Sequence, residues 1–467
     1  MIGRKEEQQL LQNLAQSNDS EFVVVYGRRR VGKTYLVRET FENTFLFQYT
    51  GIAKCTRKAQ LSQFIHALRE QGWSSEKNPE TWFQAFDALR QLISAADMST
   101  PQIVFLDEMP WMDNRRSDFL PAFEHFWNGW ASARKNLTLI ACGSATSWIT
   151  KKLFRNKGGL YNRVTRQIKL KPFTLAECRE YLMSRGIEVN EHDLIEYYMI
   201  FGGIPYYLRM LERCYSLALN IDALCFNESA PLRHEYEQLM ETLFEKPERH
   251  REVVEVINAK RRGLTREEIV TALGFPDGGN LTRILEELEE SGFIRHYKPY
   301  GKKKKGALFQ LTDPFVSFHL SFIASVDDEQ YWSTFTDNAR HRAWSGYAFE
   351  QVCLAHVPQI KKALGIAGVH TDVSSWRSDP NESPGAQVDL VINRNDNVIN
   401  LLEMKYVNAP FVVDQQMDRE LRSKVEAFKR GTGTRKAIHL TLVSPYGLKQ
   451  NKYASVFQSS VTMDELR

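Results

Sequence analysis

The run Gly27-Arg28-Arg29-Arg30-Val31-Gly32-Lys33-Thr34 has the residue types and spacing needed to hold a chain of phosphates. Gly27 and Gly32 let the backbone bend so that its N–H groups point inward at phosphate oxygens. Lys33 reaches the β- and γ-phosphates, and the Thr34 hydroxyl is placed to ligate magnesium at the N-terminus of the following helix. The loop leaves an apolar strand (residues 22–26) and opens a helix, the setting that this phosphate-binding loop, or P-loop, requires. A second buried-type strand (103–106) runs into Asp107 and Glu108. Asp107 suits a magnesium contact through water, and Glu108 suits the base that polarises an attacking water. A third strand (137–142) ends in Gly143-Ser144, where the serine is placed either to sense a γ-phosphate or to cap a helix. Arg28, Arg29 and Arg30 are placed to touch phosphate, a neighbouring subunit, or solvent alone. These residues predict binding of ATP with Mg2+, and its hydrolysis.

A second group lies near the other end of the chain. Folding residues 388–406 into a hairpin at Asp396 sets Asp389 opposite Glu403, and Lys405 shares their face because strand side chains repeat every two residues. Two carboxylates and a lysine on one sheet face make an oxygen-ligand site for Mg2+ or Mn2+. The lysine can orient or deprotonate water, or offset charge on a phosphodiester in the transition state. An exposed hairpin with a Glu–Lys pair would look similar, but the flanks VDLVI and NLLEMKY are apolar. Gln415 or Gln416 on the next helix is available to complete the site.

These groups need scaffolds. Up to about residue 230, apolar strands alternate with helical stretches, which predicts a parallel sheet covered on both faces. From Pro247 the texture changes: helices over 250–259, 265–272 and 280–290, capped at Thr265 and Asn280, precede two strands (293–298 and 307–311) joined by Lys302 to Lys305. Three short helices and a basic hairpin follow the winged-helix plan, whose third helix would offer Asn280, Thr282 and Arg283 to nucleic acid. Glu286, Glu287, Glu289 and Glu290 on the same helix repel phosphate, so DNA binding and protein docking both stay open for this module. From Asp313 aromatic helices come first, then a looser polar stretch (374–384). The strands 388–392 and 398–406, the helix 414–429 and the strand 437–443 close an α/β unit.

Composition bounds the rest. Lys and Arg outnumber Asp and Glu by only 61 to 57, so any nucleic-acid partner must be argued from local clusters. The six cysteines form no CxxC pair and have no histidines at zinc spacing; buried free thiols in a reducing cytoplasm are expected. With no run of 18 apolar residues and a charged, helical start, the sequence predicts a cytoplasmic protein without a membrane span or signal peptide.

The motifs, in order, resemble the archaeal-type ATPase family of the STAND branch of P-loop NTPases: Ile2-Gly3-Arg4 with Glu6, YGRRRVGKT, LDE, CGSATSW, GGLYNRVT (158–165), Lys171-Pro172-Phe173 and Gly202-Gly203-Ile204-Pro205-Tyr206-Tyr207. The resemblance spans roughly residues 1–230 and implies that Gly3 and Arg4 lie near the adenine and Pro205 near the nucleotide from a helical lid. It also implies a sensor or finger role for Arg163, with a sheet-edge ion pair as the alternative. The D-x13-E-x-K spacing with Glu350 on a preceding helix resembles the PD-(D/E)XK nuclease superfamily over residues 313–467, although the usual proline before the first aspartate is absent. That likeness implies metal ligation by Glu350, Asp389 and Glu403. The expected α/β architecture is a P-loop ATPase domain with lid (1–240), a winged helix (241–312) and a nuclease-like domain (313–467). The expected function is ATP-controlled action on DNA, with an ATP-dependent homo-oligomer as a further expectation. Its rivals are a signalling ATPase that docks proteins, and a DNA-binding ATPase that does not cut.

Overall fold

Strands apolar on both faces must be covered on both sides, and the first sheet is built that way. The computed structural model describes residues 1–466 except 98, 115–116, 156–157, 262, 275, 302–305, 335–338 and 379–384. The chain divides into two compact units, Met1–Pro172 with Glu241–Glu245, and Phe173–Met240 with Lys246–Arg467.

In the first unit, β1 (Glu21–Tyr26), β2 (Phe47–Thr50), β3 (Gln102–Asp107), β4 (Leu137–Gly143) and β5 (Arg166–Lys169) form an all-parallel sheet in the order β2-β3-β4-β1-β5. Phe22 to Val25 and every residue of β3 and β4 are buried. Phe64, Trp82, Phe86, Phe119 and Phe123 pack against one face of the sheet. Because β4 lies between β1 and β3, the loops after these three strands open side by side at the carboxyl edge, where ligands bind in open α/β sheets.

The second unit begins with the helices Leu175–Ser184, Glu191–Phe201 and Pro205–Leu208, which are compact with the C-terminal part. The reason is packing: Tyr207 meets the Phe315 ring at 5.1 Å, and His356 Nε2 accepts from the Leu175 N–H at 3.1 Å. Next come helices Pro247–Ala259, Arg266–Leu273 and Gly279–Glu290 with the antiparallel strands β6 (Leu264–Thr265), β7 (Ile294–Tyr297) and β8 (Leu308–Leu311), ordered β6-β8-β7. Thr265 and Glu268 form a reciprocal cap, as expected. Asn280 is not a cap: the helix starts one residue earlier behind Gly278, and Asn280 Oδ1 accepts from Arg283. Lys302 to Lys305 lie outside the described residues.

The last sheet runs β13-β12-β11-β10-β9, from β9 (Thr371–Arg377), β10 (Gln387–Arg394), β11 (Val398–Met404), β12 (Ala437–Val443) and β13 (Ser459–Val461). β9, β10 and β11 are antiparallel, and β11, β12 and β13 parallel. The polar stretch expected to be loose from residue 374 begins inside β9, because an edge strand needs backbone pairing more than apolar side chains. That edge is covered: Tyr300 N–H donates to Ser375 O at 2.8 Å, and Ser375 N–H to Lys298 O at 3.4 Å. The helix Gln415–Thr432 lays Leu421, Ala427 and Phe428 on the sheet core. Cys142, Cys178, Cys225 and Cys353 are buried free thiols, while Cys214 is exposed.

Candidate functional site

The loop after β1 needs its glycine at residue 27. Gly27 sits at φ +142°, and a Cβ there would lie 2.3 Å from Leu170 O. Gly32, at φ +93°, precedes the helix Lys33–Thr40. Lys33 is buried, and its ammonium donates to Gly27 O at 3.1 Å and Arg28 O at 3.0 Å, so the lysine tethers the loop it serves. Burial pulls its pKa down, against the opposing charges of Glu108 and Asp107. Arg29 Nη1 is buried with no hydrogen-bond partner among the described residues, as a donor reserved for an anion would be.

Thr34 Oγ1 donates to Asp107 at 3.1 and 3.0 Å to the two carboxylate oxygens. Hydroxyl and carboxylate thus converge where magnesium would need them, and the donor set fits a hard cation. Burial, and then Glu108, raise the Asp107 pKa, a cost that a divalent ion would relieve. Glu108 adopts a left-handed conformation (φ 45°, ψ 46°). Its carboxylate accepts from Ser144 N–H at 3.1 Å and from Ser144 Oγ at 3.2 and 3.1 Å. Ser144 therefore holds the expected base. A contact from the strand-end serine to Glu108 lies outside its expected roles, and it forms because β3 and β4 are paired neighbours whose carboxyl ends lie side by side.

Arg4 is buried and donates to Val31 O at 3.4 Å and Lys171 O at 2.6 Å. It braces the P-loop backbone, and Gly3 before it turns at φ 61°. Arg30 is also in the left-handed region. Arg163 is exposed, in the turn before β5. Pro205 belongs to the second unit, where it starts the short helix Pro205–Leu208 after Gly202 and Gly203. A Cβ on Gly203 would lie 2.2 Å from Phe173 O.

This constellation matches a sequence family. Residues 1–211 match the family described as an ATPase domain predominantly from Archaea. Residues 1–211 are an ATPase domain of the archaeal type. Over 412 residues the chain is 27% identical to an uncharacterized protein of Methanocaldococcus jannaschii, covering 87% of each. An uncharacterized ATP-binding protein of the same organism is 43% identical over 42 residues, 9% of this chain and 71% of that one. Among solved structures, the Walker-type ATPase of Pyrococcus abyssi is similar at TM-score 0.49 and 17% identity, over 68% of this chain and 96% of that one. The ORC2 protein of Aeropyrum pernix, solved in ADPNP–ADP complexes, is similar at TM-score 0.43 and 14% identity, over 72% and 95%. Among the described residues no helix is long and apolar enough to cross a membrane.

Beyond the ATPase domain, the hairpin of β10 and β11 pairs Leu390 with Leu402, a register that carried one residue further sets Asp389 opposite Glu403, as the sequence predicts. Glu403 is bridged by two ammonium groups, Lys405 on Oε1 at 2.8 Å and Lys424 on Oε2 at 2.7 Å. Burial pushes the Glu403 carboxyl up, but Lys424 and Lys405 outweigh it and hold it below its ordinary range. Asp389 accepts from Gln387 Nε2 at 2.6 Å, and burial raises its pKa. Glu350, on the helix Ala339–Ala355, is pushed up to about 8 by burial, then by Asp389 and Glu403. The three carboxylates feel one another, yet among the described residues no group of three or more His, Cys, Asp or Glu is arranged to hold a metal ion. Glu350 and Asp389 have no cation at ion-pair distance among the described residues, whereas Glu403 would have to release a lysine before it could bind a metal. Gln416 donates to Glu420 on its own helix, and the helix contributes Lys424 instead. That residue follows buried Leu421 by three positions and precedes buried Phe428 by four, the spacing of one helix face.

Proposed function

We propose that the ATPase domain hydrolyses ATP with magnesium and that this controls a metal-dependent phosphodiesterase site acting on DNA, built on Glu350, Asp389, Glu403, Lys405 and Lys424. The observation that carries the first part is the pairing of Thr34 with Asp107 beside Glu108 held on Ser144. Lys33 and Arg29 face the phosphates, Thr34 and Asp107 hold the ion, and Glu108 orients and polarises the attacking water. Bound magnesium would offset charge on the β- and γ-phosphates. Gly3 and Arg4 border the nucleotide in this proposal, and Arg163, exposed as it is, is the residue that a neighbouring copy would meet in an ATP-dependent homo-oligomer.

For the second part, Asp389 and Glu350 supply oxygens to Mg2+ or Mn2+, while Lys405 and Lys424 offset charge on a phosphodiester and position water. Residues 241–312 act as a winged helix and residues 313–467 as a nuclease-like domain. One observation favours a protein-docking function instead. Arg283, the cation expected to face DNA, is paired with Glu287 on its own helix at 3.3 Å. Incubating native and Glu403→Ala protein with ATP, manganese and single-stranded, duplex or branched DNA separates the two. The nuclease function predicts cleavage that Glu403→Ala abolishes while ATP hydrolysis continues. Identical background from both proteins on every substrate would leave docking in its place.

A further inference from the structure

Tyr297 ends β7, and its hydroxyl is buried with no hydrogen-bond partner among the described residues. Its neighbours fix where it sits. Arg295, on the same face of β7 by the period of two, donates to Gln351, the residue after Glu350. The Arg295 guanidinium also lies 4.5 Å above the Tyr297 ring. Just beyond Tyr297, Lys298 and Tyr300 hydrogen-bond Ser375 of β9, the strand that pairs with β10 and so neighbours Asp389. Tyr297 is thereby clamped between the helix of Glu350 and the sheet of Asp389. Burial first, and then the charges of Asp389 and Glu350 against that of Arg295, keep the phenol protonated and so a donor.

A carboxyl oxygen accepts hydrogen bonds whether or not the group is ionised, yet the hydroxyl bonds to neither acid beside it. A buried donor left unmade costs free energy unless a ligand completes it. The guanidinium stacked on the ring prevents the phenol from turning away. We propose that Tyr297 is a catalytic residue of the acidic site, donating its hydroxyl hydrogen bond to a non-bridging oxygen of the phosphodiester bound there. This role rests on the phosphodiesterase function proposed above. It also changes what the hairpin of the three-helix module is for: the turn end of β7, where Tyr297 pairs with Leu308, forms a wall of the acidic site.

Tyr297→Phe keeps the ring and its Arg295 stack and removes only the hydroxyl. Without DNA, the thermal midpoint of the variant should hold or rise, since an unmade donor is gone; a drop of several degrees would mean a structural hydrogen bond and overturn the role. With a fluorescein-labelled duplex and manganese, the cleavage rate should fall about 10-fold or more, the effect of one hydrogen bond to a charged oxygen. The dissociation constant of the same duplex in calcium, read by anisotropy, should rise by a similar factor, and ATP hydrolysis should keep its native rate. Native cleavage and affinity in Tyr297→Phe, alongside loss of cleavage in Asp389→Asn, would overturn the role of Tyr297 and leave the phosphodiesterase function standing. If the native protein and Asp389→Asn alike give no cleavage, that function falls and the role of Tyr297 with it.

Discussion

Replacing Glu350 by Gln removes a carboxyl that burial, Asp389 and Glu403 push up to about 8 from an ordinary 4.5. The sign follows from which state ionises first. Below pH 4.5 the group is protonated whether the chain is folded or not, and contributes nothing. Between pH 4.5 and pH 8 the unfolded chain releases the proton and the folded chain keeps it, so rising pH favours unfolding by about 1.36 kcal/mol per pH unit. The penalty reaches roughly 3 kcal/mol at pH 7 and levels off at roughly 5 kcal/mol above pH 8. Glutamine keeps the shape and cannot ionise, so Glu350→Gln should match the native protein at pH 4.5 and exceed it increasingly up to pH 8. Thermal midpoints of the two proteins across this range would read the gap, which for a unit of this size amounts to several degrees at most. Manganese should narrow the gap by giving the native carboxylate a partner. Midpoints that stay parallel from acid to alkaline pH would refute the claim that Glu350 is strained by its neighbours.

Lys33→Ala should abolish ATP binding, whereas Glu108→Gln should bind fluorescent nucleotide normally and release no phosphate, because only the base is lost. Gly27→Ala should lose nucleotide binding and cost about 1–3 kcal/mol of stability, since its Cβ would meet Leu170 O at 2.3 Å; an unshifted denaturation midpoint would contradict this. Ser144→Ala strips the hydroxyl from Glu108 and should slow turnover about 10-fold while leaving ATP affinity unchanged, as steady-state kinetics would reveal. Lys424→Ala leaves Glu403 with one cation in place of two, and should lower stability by about 1–3 kcal/mol in urea titrations near neutral pH.

The ATPase site was legible because its chemistry dictates both residue type and spacing. A loop that offers backbone N–H groups to phosphates must carry Gly27, Gly32, Lys33 and Thr34 where they stand, and it must leave a strand. The β10–β11 register, with Leu390 on Leu402, was legible for a similar reason, since a strand period of two and a short turn admit few registers. What escaped depends on contacts distant in sequence. Lys424 reaches Glu403 from a helix whose surface reads simply as charged. The bond from Ser144 to Glu108 follows from strand order, which local pattern does not encode. The helices after Phe173 carry apolar faces without an address, and only packing shows that Tyr207 meets Phe315. β9 read as a loop because Ser374 and Ser375 lack the apolar alternation of an interior strand.

The two hydrogen bonds that Ser375 makes with Lys298 and Tyr300 also govern how this protein can be cut. A bare edge strand templates pairing with other chains, and natural sheets shield theirs. Here the shield of β9 comes from outside residues 313–467, so a fragment beginning at Asp313 would carry an open β edge. Such a fragment would be prone to self-association at high concentration, and its failure to stay in solution would say nothing about its chemistry. A fragment beginning at Phe173 keeps both the shield and the helices that pack on Phe315 and His356, and is the one to express.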